Sequence, residues 1–138
     1  MLRRDFVSKV IEQMVNAVAR LLELKIQEEP EKFSKDFDEI LQNYFKLNPD
    51  DLPQLLEKND ERDALLLDEK SKNHQIKMFI RAGFAFVQAN QIPKAKTCLT
   101  IIERIRESHA DVFEFPTEES SKINSDLVEL KELTRSTH

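Results

Sequence analysis

The 138-residue chain holds one glycine, one cysteine, one tyrosine and no tryptophan. Each scarcity closes something off. A single glycine, Gly83, argues against a β-sandwich or barrel, whose many tight turns need residues that tolerate positive φ. It argues equally against a glycine-rich phosphate loop. A single cysteine, Cys98, excludes an internal disulfide and any multi-cysteine zinc site, and a reducing, cytoplasmic setting is the simplest reading. Tyr44 alone, with no tryptophan, leaves few platforms for stacking single-stranded bases. No apolar run approaches the ~20 residues of a membrane span. The opening MLRRDFVSK looks like a twin-arginine export motif, but Glu12, Gln13, Asn16, Arg20 and Glu23 interrupt the apolar run that such a signal requires.

Acidic residues exceed basic ones, giving a net charge of −5. That balance disfavours non-specific contact with nucleic acid or an anionic membrane. What the chain does have is leucine, glutamate, lysine, alanine and glutamine, all good helix formers. Hydrophobic residues at 40% and charged residues at 34% describe a globular chain of one-domain size, 1–138.

Every long segment carries helical periodicity, so the expected class is all-α. A first helix is expected from Leu2 to Gln27, with Phe6, Val10, Met14, Val18 and Leu21 on one stripe. Pro30 separates it from a second, Glu31 to Leu47, and the two form a hairpin over 1–49. Asp50 or Asp51 is expected to cap a short helix ending at Leu56. Glu57 to Asp63 contains no apolar residue and reads as an exposed connection. Ala64 to Leu67 is a brief apolar patch closing the segment 50–68. The stretch 69–108 reads as two helices turning at Asn90-Gln91, with Pro93 in the first turn of the second. His109 to Pro116 is irregular, and Thr117 caps a last helix reaching Leu133 within 109–138.

One stretch carries a family signal. Gln75 to Ser108, QIKMFIRAGFAFVQANQIPKAKTCLTIIERIRES, resembles a tetratricopeptide-type helical hairpin. With Gly83 on the family's small residue, Phe79 and Phe86 fall on its aromatic positions and Ala82 on the neighbouring packing position. Ala95 lands on the signature alanine of the second helix, Leu99 on the large position and Ile102 on the last. The closing proline is replaced by Glu107. Tyr44 to Asp51 echoes the end of such a repeat, although Phe37 then stands where the alanine belongs. The chain as a whole also resembles small bacterial proteins of helical-repeat character, a likeness that carries no known activity. The resemblance implies a right-handed stack of antiparallel hairpins with an extra C-terminal helix.

In that family a concave face lined by first helices holds a peptide. Here Lys77, Ile80, Phe84, Val87 and Gln88 would line it, and Ile80 and Phe84 replace the polar residues of a carboxylate clamp. Met78 to Val87 has one polar residue, Arg81, and a helix apolar on all sides is an interior helix. Two readings therefore stand: the face is filled by the chain's own first or last helix, or it is an apolar groove for a partner helix. Arg81 is expected to snorkel or to pair with a carboxylate. Lys94, Lys96, Arg104 and Arg106 read as a solvated face balanced by Glu103 and Glu107, or as a seat for an acidic partner. Cys98 reads as buried packing. His74, His109 and His138 share no metal spacing, and His109-Ala110-Asp111 is too short to define a site. There is no nucleophile elbow or Ser/His/Asp arrangement.

The reading is a non-catalytic interaction or scaffolding protein, with no cofactor and no metal. A protein or peptide is its expected partner, and monomer and homodimer both stay open. The alternatives are a regulatory subunit that takes a peptide or helix in an apolar groove and, in third place, a small enzyme.

Overall fold

A computed structural model describes residues 4–110 and 115–136. Among them it contains seven helices and no strand. The expected start at Leu2, together with Asp111 and His138, lies outside the described residues.

Helix α1 spans Arg4–Leu22 and buries Met14, Val18 and Leu21. It ends five residues before the expected Gln27. The chain instead makes two tight turns, in which Glu23 N–H reaches Arg20 O at 3.2 Å and Glu29 N–H reaches Lys25 O at 2.8 Å. Leaving the helix lets Ile26 turn inward, where it is buried. At the other end of the stripe the expectation also fails, since Phe6 is 59% exposed.

Helix α2 spans Pro30–Phe45, with Pro30 in the first turn, where its missing N–H costs nothing. Phe33, Phe37, Ile40, Leu41 and Phe45 form its buried face. Lys46 ends it in the left-handed region at φ 56°, and the N–H groups of Lys46 and Leu47 both point at Leu41 O. A 3-10 helix, Pro49–Leu56, then buries Leu52 and Leu55. Its N-cap residue is Asn48, and Asp50 and Asp51 occupy the first turn instead of the cap.

The segment read as an exposed connection holds the start of α3, Asp60–Leu66. Asn59 Oδ1 accepts the Arg62 N–H at 3.0 Å, and Asp63 Oδ2 accepts the Asn59 N–H at 3.3 Å. This reciprocal cap satisfies two orphan donors. Asp60, Glu61 and Asp63 sit where the helix dipole favours negative charge.

Helices α4, Lys72–Gln88, and α5, Ile92–Ser108, form a hairpin. Asn90 closes α4 at φ 59°. Its N–H reaches Val87 O at 3.0 Å, and the Gln91 N–H reaches Phe86 O at 2.8 Å. This is the Schellman arrangement with asparagine in the usual glycine place. Helix α6, Glu118–Ser136, begins as expected: Thr117 Oγ1 accepts the Ser120 N–H at 3.0 Å and Ser120 Oγ accepts the Thr117 N–H at 2.9 Å.

Helix α4 is the centre of the molecule, packing against α1, α2, α5 and α6. Helix α5 also covers the 3-10 helix. Phe37 joins α2 to the hairpin: its ring meets Phe79 edge-on with centroids 6.0 Å apart and Phe86 at 6.3 Å, and it stacks on Phe33. An alanine there would leave both hairpin rings without this partner.

Three arginines close the ends of the first three helices from a distance. Arg81 Nη1 donates to Leu22 O and Leu24 O, both at 3.1 Å. Arg62 Nε donates to Phe45 O at 3.0 Å. Arg104 Nη1 donates to Leu55 O at 3.2 Å and binds Asp63. The last carbonyls of a helix lack intrahelical partners and carry its negative pole, so a guanidinium is a fitting cap. Arg81, expected to snorkel or to pair with a carboxylate, thus binds backbone carbonyls.

Candidate interaction surface

The hairpin residues divide between interior and rim. Phe79, Ala82, Gly83, Ala95, Leu99 and Ile102 are buried, and Phe86 is half-buried. A Cβ built on Gly83 would meet Leu130 Cδ2 at 2.6 Å. The close approach at the one glycine is thus to α6, where the repeat pattern suggested a helix of its own hairpin. Leu130 seats a branched side chain in the notch that the missing Cβ leaves.

Of the residues expected to line a peptide face, Lys77, Ile80 and Phe84 share the wall of one cleft. Ile80 is 3% exposed, and Phe84 is half-buried. Lys77 forms an ion pair with Glu119 of α6. Val87 is half-buried and Gln88 is exposed. Helices α1 and α6 both pack on α4, and Leu22 of α1 and Ile123 of α6 border this face. That cleft holds about 280 Å³, and Leu22, Arg81, Lys122, Ile123 and Asp126 complete its wall.

Two further clefts flank the helix layer. One of about 430 Å³ lies where the start of α6 meets α4 and the end of α5, with Ile76, Arg106, His109 and Ile123 in its wall. Another of about 320 Å³ is lined by Phe6, Val10, Tyr44 and Leu65 between α1, α2 and α3. Periodicity had assigned Phe6 to the core stripe and so could not flag it as surface. Val128, on the outer side of α6, is 58% exposed.

The basic residues of α5 are divided. Arg104 turns inward to grip Asp63 through two parallel bonds of 2.7 and 2.9 Å, which corrects its assignment to a solvated face balanced by Glu103 and Glu107. The Arg104 guanidinium holds the Asp63 carboxyl below its ordinary range. Lys94 reaches Asp50 at 3.1 Å and lies 5.7 Å from the centre of the Phe86 ring. Lys96 and Arg106 are exposed. Nearby, burial pushes the Asp38 carboxyl upward, Lys94 partly opposes this and Asp50 adds to it. The hydrogen bond from Lys77 lowers Glu119.

Cys98 is fully buried, and burial pushes its thiol far up, so it is held as the thiol and packs as a small hydrophobe. His74 and His109 are half-buried on α4 and just past α5. Among the described residues no three His, Cys, Asp or Glu side chains converge as a metal site would need, and no helix is long and apolar enough to cross a membrane.

Comparisons of the chain with protein-family models, curated proteins and solved structures find no match to it.

Proposed function

We propose that this is a non-catalytic interaction or scaffolding protein built on tetratricopeptide-like helices. The observation that carries the reading is the position of the α4–α5 hairpin. It works as a packing unit, taking α1, α2 and α6 on its faces, while its Arg81 and Arg104 cap α1 and the 3-10 helix. A hairpin of that kind contributes docking surface. Phe6 and Val128, large and exposed on the outermost helices, are the surface features that a partner would cover. The proposed partner is a protein or peptide, and the proposed compartment is the cytoplasm.

The test is capture from native lysate with the full tagged chain, paired with solution mass of the purified protein. The reading expects a stoichiometric protein partner or a mass of twice 16.2 kDa. A 16.2 kDa monomer that retains no protein contradicts it. The cleft beside Ile80 and Phe84 favours one second reading, a regulatory subunit that takes a partner helix there.

A further inference from the structure

Helix α6 is seated differently from the other helices. Its buried side chains form one narrow stripe, Ile123, Leu127, Leu130 and Thr134. It packs chiefly on α4 and α5. Both the 280 Å³ and the 430 Å³ clefts reach Ile123, so its first half has open space on either side. Among the described residues, Glu119 ties it to α4: it pairs with Lys77 and accepts a bond from Asn73 Nδ2 at 2.8 Å. Leu130 in the Gly83 notch fixes its register.

We propose that α6 is a resident ligand of the α4–α5 hairpin, exchangeable for a partner's amphipathic helix built to the same pattern. The pattern is a carboxylate, then apolar residues four, eight and eleven positions later, as in Glu119, Ile123, Leu127 and Leu130. The carboxylate meets Lys77, Ile123 shares cleft walls with Ile76 and Ile80, Leu127 is buried, and Leu130 meets Gly83. The partner is an amphipathic helix laid in a groove, anchored every three to four residues. Tethered in the same chain, α6 competes at high effective concentration, so the face opens to a partner only when α6 is weakened or outcompeted. The inference rests on the interaction reading and names the surface and partner class for it.

The probe is a fluorescently labelled synthetic peptide with the sequence of residues 117–138, titrated by anisotropy against full-length chains. The wild-type chain should bind it weakly. Glu119→Gln, which loosens α6 in its own chain, should tighten binding of the unaltered peptide at least threefold, and Leu130→Ala at least tenfold. A peptide carrying Glu119→Lys should bind at least tenfold more weakly, since it meets Lys77 with like charge. If Leu130→Ala does not fold, Glu119→Gln carries the test, because that substitution lies at the surface. A peptide that binds no chain, or all chains equally, overturns the proposal. Lysate capture succeeding alongside such a result would leave the interaction reading intact on another face.

Discussion

Gly83 and Leu130 share one volume: a Cβ on the glycine would lie 2.6 Å from a Leu130 methyl carbon. Two effects compete at this site. Alanine is the better helix former by about 1 kcal/mol. The crowding against a fully buried Leu130 opposes it. Gly83→Ala should therefore leave stability unchanged or lower it. In a Leu130→Ala background the vacated space admits the Cβ, and the same change should stabilise by about 1 kcal/mol. Urea unfolding of the four proteins measures the coupling, and strictly additive effects would show that the two side chains do not compete.

Arg81 bridges 57 to 59 residues of sequence to close α1. Arg81→Met keeps the apolar stem and removes the cap, leaving two part-buried carbonyls unsatisfied. The expected loss is about 2 kcal/mol, with faster amide exchange at the turn after Leu22. Arg81→Lys should recover part of it. A Met variant within about 0.5 kcal/mol of the parent would mean that water replaces the guanidinium without cost.

The Arg104–Asp63 pair makes a pH-dependent contribution whose sign is fixed. Asp63 is held below its ordinary range when folded, whereas the unfolded chain takes up its proton near about pH 3.9. As pH falls below that point the unfolded state binds more protons, so stability drops through the folded pKa. Above it the contribution is complete. Glu119 acts in the same direction but is more exposed and more strongly screened. Arg104→Leu should cost about 2 kcal/mol at neutral pH and clearly less under acid conditions that protonate Asp63 in both states. Equal losses at both pH values would contradict the pairing. Asp38 has the opposite sign. Burial raises it, so its ionisation costs stability at neutral pH, and Asp38→Asn should raise the melting temperature there.

Lys46 occupies the left-handed region without being glycine. That conformation costs a side-chain-bearing residue about 1 kcal/mol, and glycine's greater unfolded entropy offsets part of the gain. Lys46→Gly should raise stability by about 0.5 kcal/mol, read as a small upward shift in thermal midpoint. A lower midpoint would show that the Lys46 Nζ bond to Asn43 O, at 3.0 Å, outweighs the strain.

The long helices were legible because each places apolar residues at three- and four-residue steps, and the core draws on those residues, Phe6 excepted. Met78 to Val87 read as an interior run because it is apolar on all sides. Other features left no local trace. Helix α1 stops at Leu22 because Arg81, far along the chain, accepts the task of capping it. Helix α3 opens in a stretch without apolar residues, where only the Asn59 cap and the acidic first turn marked a start. Arg104 lies among exposed-looking charges, and its inward turn depends on Asp63, 41 residues earlier. The burial of Ile80 was readable from the sequence. That α6 contributes to its cover, with Leu130 in the Gly83 notch, required the tertiary arrangement.

As proposed above, the α4–α5 hairpin is the fixed core and α6 a separable layer upon it. Native-state hydrogen exchange of the unmodified full chain tests this most directly. The α6 amides should open at least tenfold more often than those of Phe79, Ala82, Cys98 and Ile102, and without global unfolding. Exchange of α6 at the same rate as those core amides, with the same denaturant dependence, would contradict it.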